Sequence, residues 1–530
     1  MADAVSASPS QGGKSKAKTV MHKASILKLT KQVSRRLSIL ADGQIVGHVG
    51  AKYSKNAAVV YALNMTLGTG PLTLPFAFAQ AGLLLGGAFL AICSVLGYIT
   101  ATYVIEAHAL ANLAVFEGAE DRLLDDEDVE IVDADGAPIR DRKSDEDLAG
   151  LRSTVRHNFS EKAFKIRERV ELGGLGRRFL PWGVWQLLYA CLFLYTFGCL
   201  CVYSVALTTS IESLLPFGEQ LQLGGGLMVS TRLLVVMLLA LIIFPLCFAD
   251  MQKLRSLQSL ILAVRALALI AMLGGSILMI ADNNNSNNNG KINNNNNSDG
   301  DWTWSWHGMP MVDPNGLPSL FANAVLAFMV HHSLPGLMAP LEDQKDSPKV
   351  IATSYGIAYA IYVVLGGTAL LAFGTEVPQL YNMAFTSLPI PVVPQLLCGY
   401  PLLLLAIYPI VSITFRNNML DLLGLSPPTA DSPVQLKDVL STALAALPPV
   451  GVAYVTSNVQ DIVSVFAGFF GLTVFLLVPC ALMRSARRKL AVADDDFLLR
   501  SRWGHPAVVA VVVLAYTGAI AFNTYRLFFI

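Results

Sequence analysis

Asn64-Met65-Thr66-Leu67-Gly68-Thr69-Gly70-Pro71-Leu72-Thr73-Leu74-Pro75 lies inside an apolar run long enough to cross a bilayer, yet carries two glycines and two prolines. A second run of this kind holds His331-His332-Ser333-Leu334-Pro335-Gly336. Helix breakers survive at membrane depth only where protein or a wet interior satisfies the freed backbone groups. Two broken spans in corresponding halves of a membrane protein point to an inverted-repeat secondary transporter with its site near the bilayer midplane.

Composition around these stretches agrees. Of the 530 residues, 54% are hydrophobic and 14% charged, which excludes an ordinary soluble domain. Eleven windows reach the roughly 20 apolar residues a bilayer crossing needs: 56–81, 83–111, 181–208, 231–249, 256–281, 317–340, 349–374, 393–415, 438–456, 461–483 and 506–527. No cleavable secretory signal precedes the first, which makes that span the expected insertion signal. Lys and Arg near span ends stay on the cytosolic side. A cytosolic N-terminus places 34 of the 38 Lys and Arg inside, leaving Arg232, Lys291 and Arg526 on the other face and Arg265 within a span. The C-terminus is then expected on the outer or luminal side, of either a plasma membrane or an endolysosomal or vacuolar one.

The fold class expected is an all-α polytopic membrane protein, with residues 1–55 as a basic cytosolic tail and 56–527 as the transmembrane domain. In the tail, Ile26, Leu27, Val33, Leu37 and Leu40 interleave with Lys28, Lys31, Arg35 and Arg36. That pattern fits a disordered positive-inside tail, a weak membrane-surface helix, or a docking segment for a cytosolic partner. The charged loop 112–180 ends in a run, 164–171, that fits an amphipathic helix. Asn repeats over 283–298 imply a flexible outer loop within 282–316, with sequons at Asn284 and Asn296. Trp302, Trp304 and Trp306 read as an aromatic belt, and Arg484, Arg487, Arg488 and Lys489 with Asp494-Asp495-Asp496 as a solvated hinge. The seven cysteines all fall in spans and read as buried apolar residues. The neutral net charge gives no sign of a nucleic-acid partner.

At the first break neither half is long enough to span alone. Gly68 and Gly70 allow backbone freedom, and Pro71 suits the opening turn of the second half-helix because its missing N–H needs no partner. The positive amino end of that half-helix would receive a carboxylate, with Thr69 and Thr73 as hydroxyl donors. The same residues are compatible with a kink that serves packing only. At the second break, exposed carbonyls near Pro335 and Gly336 would hold an amino group. His331 and His332 would point about 100° apart on a helix, so one at most lines the pathway, and imidazole is a natural proton carrier.

The first stretch, with Phe78-Ala79-Gln80-Ala81-Gly82 after it, resembles the first helix of the amino acid/auxin permease superfamily, a group of 11-helix transporters. Tyr103-Val104-Ile105-Glu106-Ala107, 164–173, His332-Ser333-Leu334-Pro335-Gly336 and Arg416-Asn417-Asn418 resemble the transmembrane protein 104 group within it. The resemblance implies a five-plus-five inverted repeat with an added helix, moving amino acids with a cation gradient. It implies substrate contacts at Thr66, Gly68, Thr69, Gly70 and Leu72, and at His332, Ser333 and Leu334. In sodium-coupled relatives an Asn like Asn64 works with a hydroxyl on the eighth helix, where this chain has Ile407; proton coupling is therefore preferred to sodium.

Ionisable residues inside spans are costly and face the protein interior. Glu106 and Arg265 are read as an intramembrane ion pair and, with Asn64 and His331, as candidates for ion coupling. No HExxH, nucleophile elbow or membrane-depth carboxylate cluster suggests an enzyme, a cofactor or a metal centre. The favoured function is secondary active transport of amino acids by alternating access; the alternative is an amino acid sensor signalling through its tail.

Overall fold

A computed structural model describes residues 52–125, 166, 170–215, 220–223, 227–248, 255–288, 304–306, 309–386, 393–425, 428, 434–490 and 499–529. The chain divides into two compact units: residues 1–48, 109–168 and 490–498, and residues 49–108, 169–489 and 499–530. The second unit carries both breaks. Residues 1–51 of the basic tail, the acidic stretch at 125–128 beyond Asp125, the sequon at Asn296, Trp302 and Asp494-Asp495-Asp496 lie outside the described residues.

Each of the eleven windows holds helix. The first contains α1 (Lys55–Thr66) and α2 (Gly70–Ala81), whose axes turn by 53° between them. After Gly82 comes α3 (Leu83–Asp125), then a short α4 (Leu172–Phe179) leading into α5 (Val184–Leu214). A two-stranded hairpin, β1 (Gln220–Leu223) with β2 (Leu227–Ser230), precedes α6 (Thr231–Leu246) and α7 (Arg255–Asn288). A second hairpin, β3 (Trp304–Trp306) with β4 (Met309–Val312), leads to the second broken window, α8 (Leu317–Phe328) and α9 (Leu334–Met338). Next come α10 (Ser347–Phe373), α11 (Val393–Cys398), a 3-10 stretch over Tyr400–Ala406 and α12 (Tyr408–Leu422). After α13 (Leu436–Val455), α14 (Val459–Val465) passes through π-helical Phe466–Gly471 and Thr473–Leu477 into α15 (Val478–Leu490); α16 (Pro506–Phe529) closes the chain.

Among the described residues, eight helical stretches are long and apolar enough to cross a membrane, or nine with the bent α1–α2 pair counted as one. The two remaining windows hold α6, of 16 residues, and the broken α8–α9 segment. Their outward faces are greasy: Leu241, Leu267, Ile270 and Leu514 are between 65% and 73% exposed. Apolar surface on that scale is stable only against lipid. This is an all-α polytopic membrane protein.

Two sequence expectations need correction. The helix after the charged loop is α4, beginning at Leu172; Ile166, Val170 and Glu171 are not helical, and the rest of 164–169 lies outside the described residues. The Asn tract does not begin as loop, because α7 continues to Asn288 and takes the sequon at Asn284 into its last turns; extending an existing helix adds one hydrogen bond per residue fixed, even for poor helix formers. Trp304 and Trp306 are strand residues, paired with Val312 and Met309. That hairpin explains Gly82, which holds a left-handed φ of 88° and whose Cβ position would lie 2.7 Å from the Met311 carbonyl carbon.

The free ends of the two broken segments meet at one face. Tyr53 bridges to Leu341, with its amide on the Pro340 carbonyl (3.0 Å), the Glu342 amide on its own carbonyl (3.1 Å), and its hydroxyl on the Leu337 carbonyl. A strand-like clasp thus joins the entrance of α1 to the exit of α9.

Candidate functional site at the paired helix breaks

The last four carbonyls of a helix have no partner within it, and in a membrane each must find one. At the end of α1 all four do, and so does the next. The Leu63 carbonyl accepts from the Leu67 amide (2.8 Å) and Met65 from Gly68 (3.4 Å). Arg265 of α7 donates from Nη1 to Asn64 (2.6 Å), Tyr362 of α10 to Thr66 (2.5 Å), and Tyr400 to Leu67 (3.1 Å). Three elements far apart in sequence therefore hold the first break open.

The second break is held in the same way. Tyr355 of α10 donates its hydroxyl to the carbonyl of Phe328, the last residue of α8 (2.6 Å). Tyr355 and Tyr362 are seven residues apart, two turns on one face of α10. The Phe328 ring packs against both, with centroids 5.4 and 5.6 Å away. One helix face thus ties both breaks together.

Gly70 at the first break serves space rather than an unusual dihedral. Neither Gly68 nor Gly70 has positive φ. A Cβ on Gly70 would lie 2.6 Å from Tyr362 Cζ, an overlap, whereas one on Gly68 would be tight only against the Met65 carbonyl oxygen (3.2 Å) and would meet the Tyr203 hydroxyl (3.6 Å) and Ile407 Cδ1 (3.7 Å) at ordinary contact. Two threonines differ from expectation. Thr66 donates to the Ala62 carbonyl (2.6 Å) and Thr73 to the Thr69 carbonyl (3.4 Å), so both hydroxyls are engaged within their own helices. The Thr69 carbonyl also accepts the Leu72 (2.9 Å) and Thr73 (3.1 Å) amides, engaging two donors of the expected carboxylate receptor. Thr69 and Leu72 are buried at the break.

His331, His332 and Ser333 lie on a turn rather than on a helix. His331 Nε2 is 2.9 Å from Thr100 Oγ1, and its ring packs edge-on to Phe475 of the π-helical stretch at 5.0 Å. The His332 ring lies 5.7 Å from Tyr195 of α5. Both His332 ring nitrogens and Ser333 Oγ are buried without a hydrogen-bond partner among the described residues; Leu334 is buried beside them. Asn64 donates to the Gln258 carbonyl (2.8 Å) and to its side-chain oxygen (3.0 Å), while Asn64 Oδ1 is likewise unpartnered. Polar atoms buried without partners are rare and call for an explanation.

The expected Glu106–Arg265 pair does not form. Glu106, 1% exposed, is gripped by Arg487 through Nε (2.5 Å) and Nη2 (2.9 Å) and by the Ser501 amide (2.9 Å), while Arg265 is bonded to α1. Glu106 thus locks α3 to α15 and to the segment before α16, which Thr102–Ser501 (2.7 Å) and Tyr103–Trp503 (2.7 Å) reinforce. Sequence reading missed Tyr203, Tyr355, Tyr362 and Tyr400. The seven-residue spacing of Tyr355 and Tyr362 was available as a signal; Tyr203 and Tyr400 have none without the packing.

Two broken helices, tied to one neighbour and flanked by buried unpartnered polar atoms, define a multi-pass membrane transporter rather than a helical scaffold. The chain belongs to the family described as "Transmembrane amino acid transporter protein", which matches residues 52–119 and 167–520. It is 27% identical to "Transmembrane protein 104 homolog" of Dictyostelium discoideum over 81% of this chain and 88% of that protein. With "Transmembrane protein 104" of Homo sapiens it shares 26% identity, over 84% of this chain and 90% of that protein. A solved structure of MhsT in complex with L-phenylalanine aligns at TM-score 0.45 with 10% identity, covering 88% of this chain and 99% of that one.

Proposed function

We propose that this transporter moves amino acids by alternating access, coupled to protons rather than sodium. The observation that carries the reading is the pair of breaks bonded to one face of α10. A ligand spanning them touches both half-helix pairs at once, so its binding bears on how each pair sits against α10. A carboxylate would lie at the amino end of α2 near Gly68, Thr69 and Gly70. The amino group would lie at the α8–α9 turn, where His332 and Ser333 offer unpartnered acceptors. The five-plus-five repeat and the division into tail (1–55) and transmembrane domain (56–527) belong to the same proposal.

Two features support the choice of ion. Ile407, buried against Gly68, brings hydrocarbon where the resemblance to sodium-coupled relatives would put an oxygen. The Asn64 carbonyl already accepts from a fixed cation, Arg265. His331, buried and bonded to Thr100, is the proposed proton carrier.

Counterflow of labelled amino acids into proteoliposomes tests the proposal. Wild-type protein is expected to exchange solute without any gradient and to accumulate it under an inward proton gradient. His331→Gln should keep exchange and lose gradient-driven accumulation. Accumulation by that variant, or dependence on sodium alone, would overturn proton coupling through His331. Saturable binding without counterflow would favour the sensor reading instead.

The proposed orientation has a separate check. Protease added to sealed, right-side-out organelles should digest the N-terminal tail and spare the 282–316 loop. The reverse pattern would mean an inverted topology.

A further inference from the structure

Arg265 is fully buried, and only its Nη1 is engaged, on the Asn64 carbonyl at 2.6 Å. Its Nε and Nη2 have no hydrogen-bond partner among the described residues. Other buried or half-buried arginines contrast with it. Arg232 uses all three nitrogens, on the Ala453 carbonyl, Glu212 and the Thr456 carbonyl. Arg416 uses all three on Thr442 and Asn417.

Among the described residues, no carboxylate is paired with the charge at the first break. Among the described carboxylates near the other arginines, Glu106 is held by Arg487 and Glu212 by Arg232, and Asp438 caps α13 through the Gln435 amide. The side chains of Tyr203, Tyr362 and Tyr400 lie near the Arg265 guanidinium, and none of them brings a carboxylate. The carboxyl end of α1 offers only a partial negative charge, about half an elementary charge. A guanidinium buried without a counter-charge is strongly unfavourable, so the site as built is incomplete.

The two free donors are informative as a pair. Nε and Nη2 form one edge of the guanidinium, the edge that meets both oxygens of a carboxylate side-on. In this same protein Arg487 presents that edge to Glu106. Arg265 presents the same edge to no partner among the described residues.

We infer that Arg265 receives a carboxylate of the transported solute through Nε and Nη2, and that the solute is a net anion, an acidic amino acid within the class proposed above. The inference rests on the amino acid reading and adds a charge requirement to it. A zwitterion brings no net charge and leaves the guanidinium uncompensated; one additional carboxylate restores neutrality. The Tyr362 and Tyr400 hydroxyls remain on the carbonyls that hold the break, so the anion adds to the site without dismantling it.

The test compares acids with their own amides on the purified full-length protein, using thermal stabilisation by L-glutamate against L-glutamine and L-aspartate against L-asparagine. Each pair is run in chloride and with chloride replaced by methanesulfonate. The acids should half-saturate at a concentration at least about tenfold below that of the amides, because an amide leaves the fork unpaired. Arg265→Gln should bring the two within about twofold, and Arg265→Lys, a point charge without the fork, should fall between. Equal or better binding of the amides to wild-type protein would overturn the inference while leaving amino acid transport intact. Amide binding that requires chloride would overturn it too, assigning the balancing charge to the ion. No stabilisation by either member of a pair, together with no counterflow, would overturn both readings. The wild-type comparison decides even if the variants fail to fold.

Discussion

Gly70→Val is expected to reduce solute flux to background while the protein still inserts and reaches its membrane. The reason is space at one point. A Cβ on Gly70 would overlap the Tyr362 ring, 2.6 Å from Cζ, and that ring carries the hydroxyl bonded to the Thr66 carbonyl. Relief requires moving α10 away from the first break, and the same helix holds the second break through Tyr355. Overpacking of this kind costs about 1–3 kcal/mol, which a large membrane protein survives. Span hydrophobicity rises, so insertion is not impaired. Gly70→Ala already adds the offending atom and should share most of the loss. Tyr362→Phe removes the hydroxyl but keeps the ring, leaving the Thr66 carbonyl unpaired at about 1–3 kcal/mol. It should lower thermal stability more than it lowers flux. Uptake normalised to the amount of correctly inserted protein is the measurement, and wild-type flux from Gly70→Val would remove the solute from this break.

Glu106→Gln is expected to destabilise the protein by an amount on the order of 3 kcal/mol, the low end for a buried ion pair because Arg487 retains 22% exposure. Two hydrogen bonds from a guanidinium and one from the Ser501 amide converge on a carboxylate that is 1% exposed. Neutralising it leaves Arg487 facing a weaker acceptor. Arg487→Gln alone strands the carboxylate in turn, so the double substitution should cost less than the sum of the singles. A thermal-unfolding double-mutant cycle reads that coupling. The same cycle between Glu106 and Arg265 should be additive, since the two belong to different hydrogen-bond networks. Coupling between Glu106 and Arg265, with additivity between Glu106 and Arg487, would contradict the observed pairing.

The breaks themselves are legible in the sequence, because what makes them is local. Gly68, Gly70 and Pro71 within four residues disfavour an unbroken helix, while Pro75 is accommodated inside α2, and the apolar residues on either side state that the interruption is at membrane depth. The eleven helical windows were legible for the same reason: hydrocarbon thickness sets a length, and a run of apolar residues either meets it or does not. The direction of Pro71, opening α2, also followed from its own missing N–H.

What closes around the breaks was decided by packing alone. Glu106 and Arg487 are 381 positions apart, and no feature of either residue prefers the other to Arg265. Long-range charge pairing depends on which helix faces meet, and in a bundle every charged side chain has several candidates. The tyrosines show the same limit from the other side. Burial of a Tyr is favoured by its ring, but which carbonyl its hydroxyl reaches depends on where a broken helix leaves one free. The sequence alone determined that this chain crosses a membrane as helices and breaks two of them, since those properties reside in consecutive residues. That one face of α10 joins the breaks, that Gly70 makes room for Tyr362, and that Arg265 has an edge without a partner among the described residues follow from contacts between distant segments, which no local stretch of residues specifies.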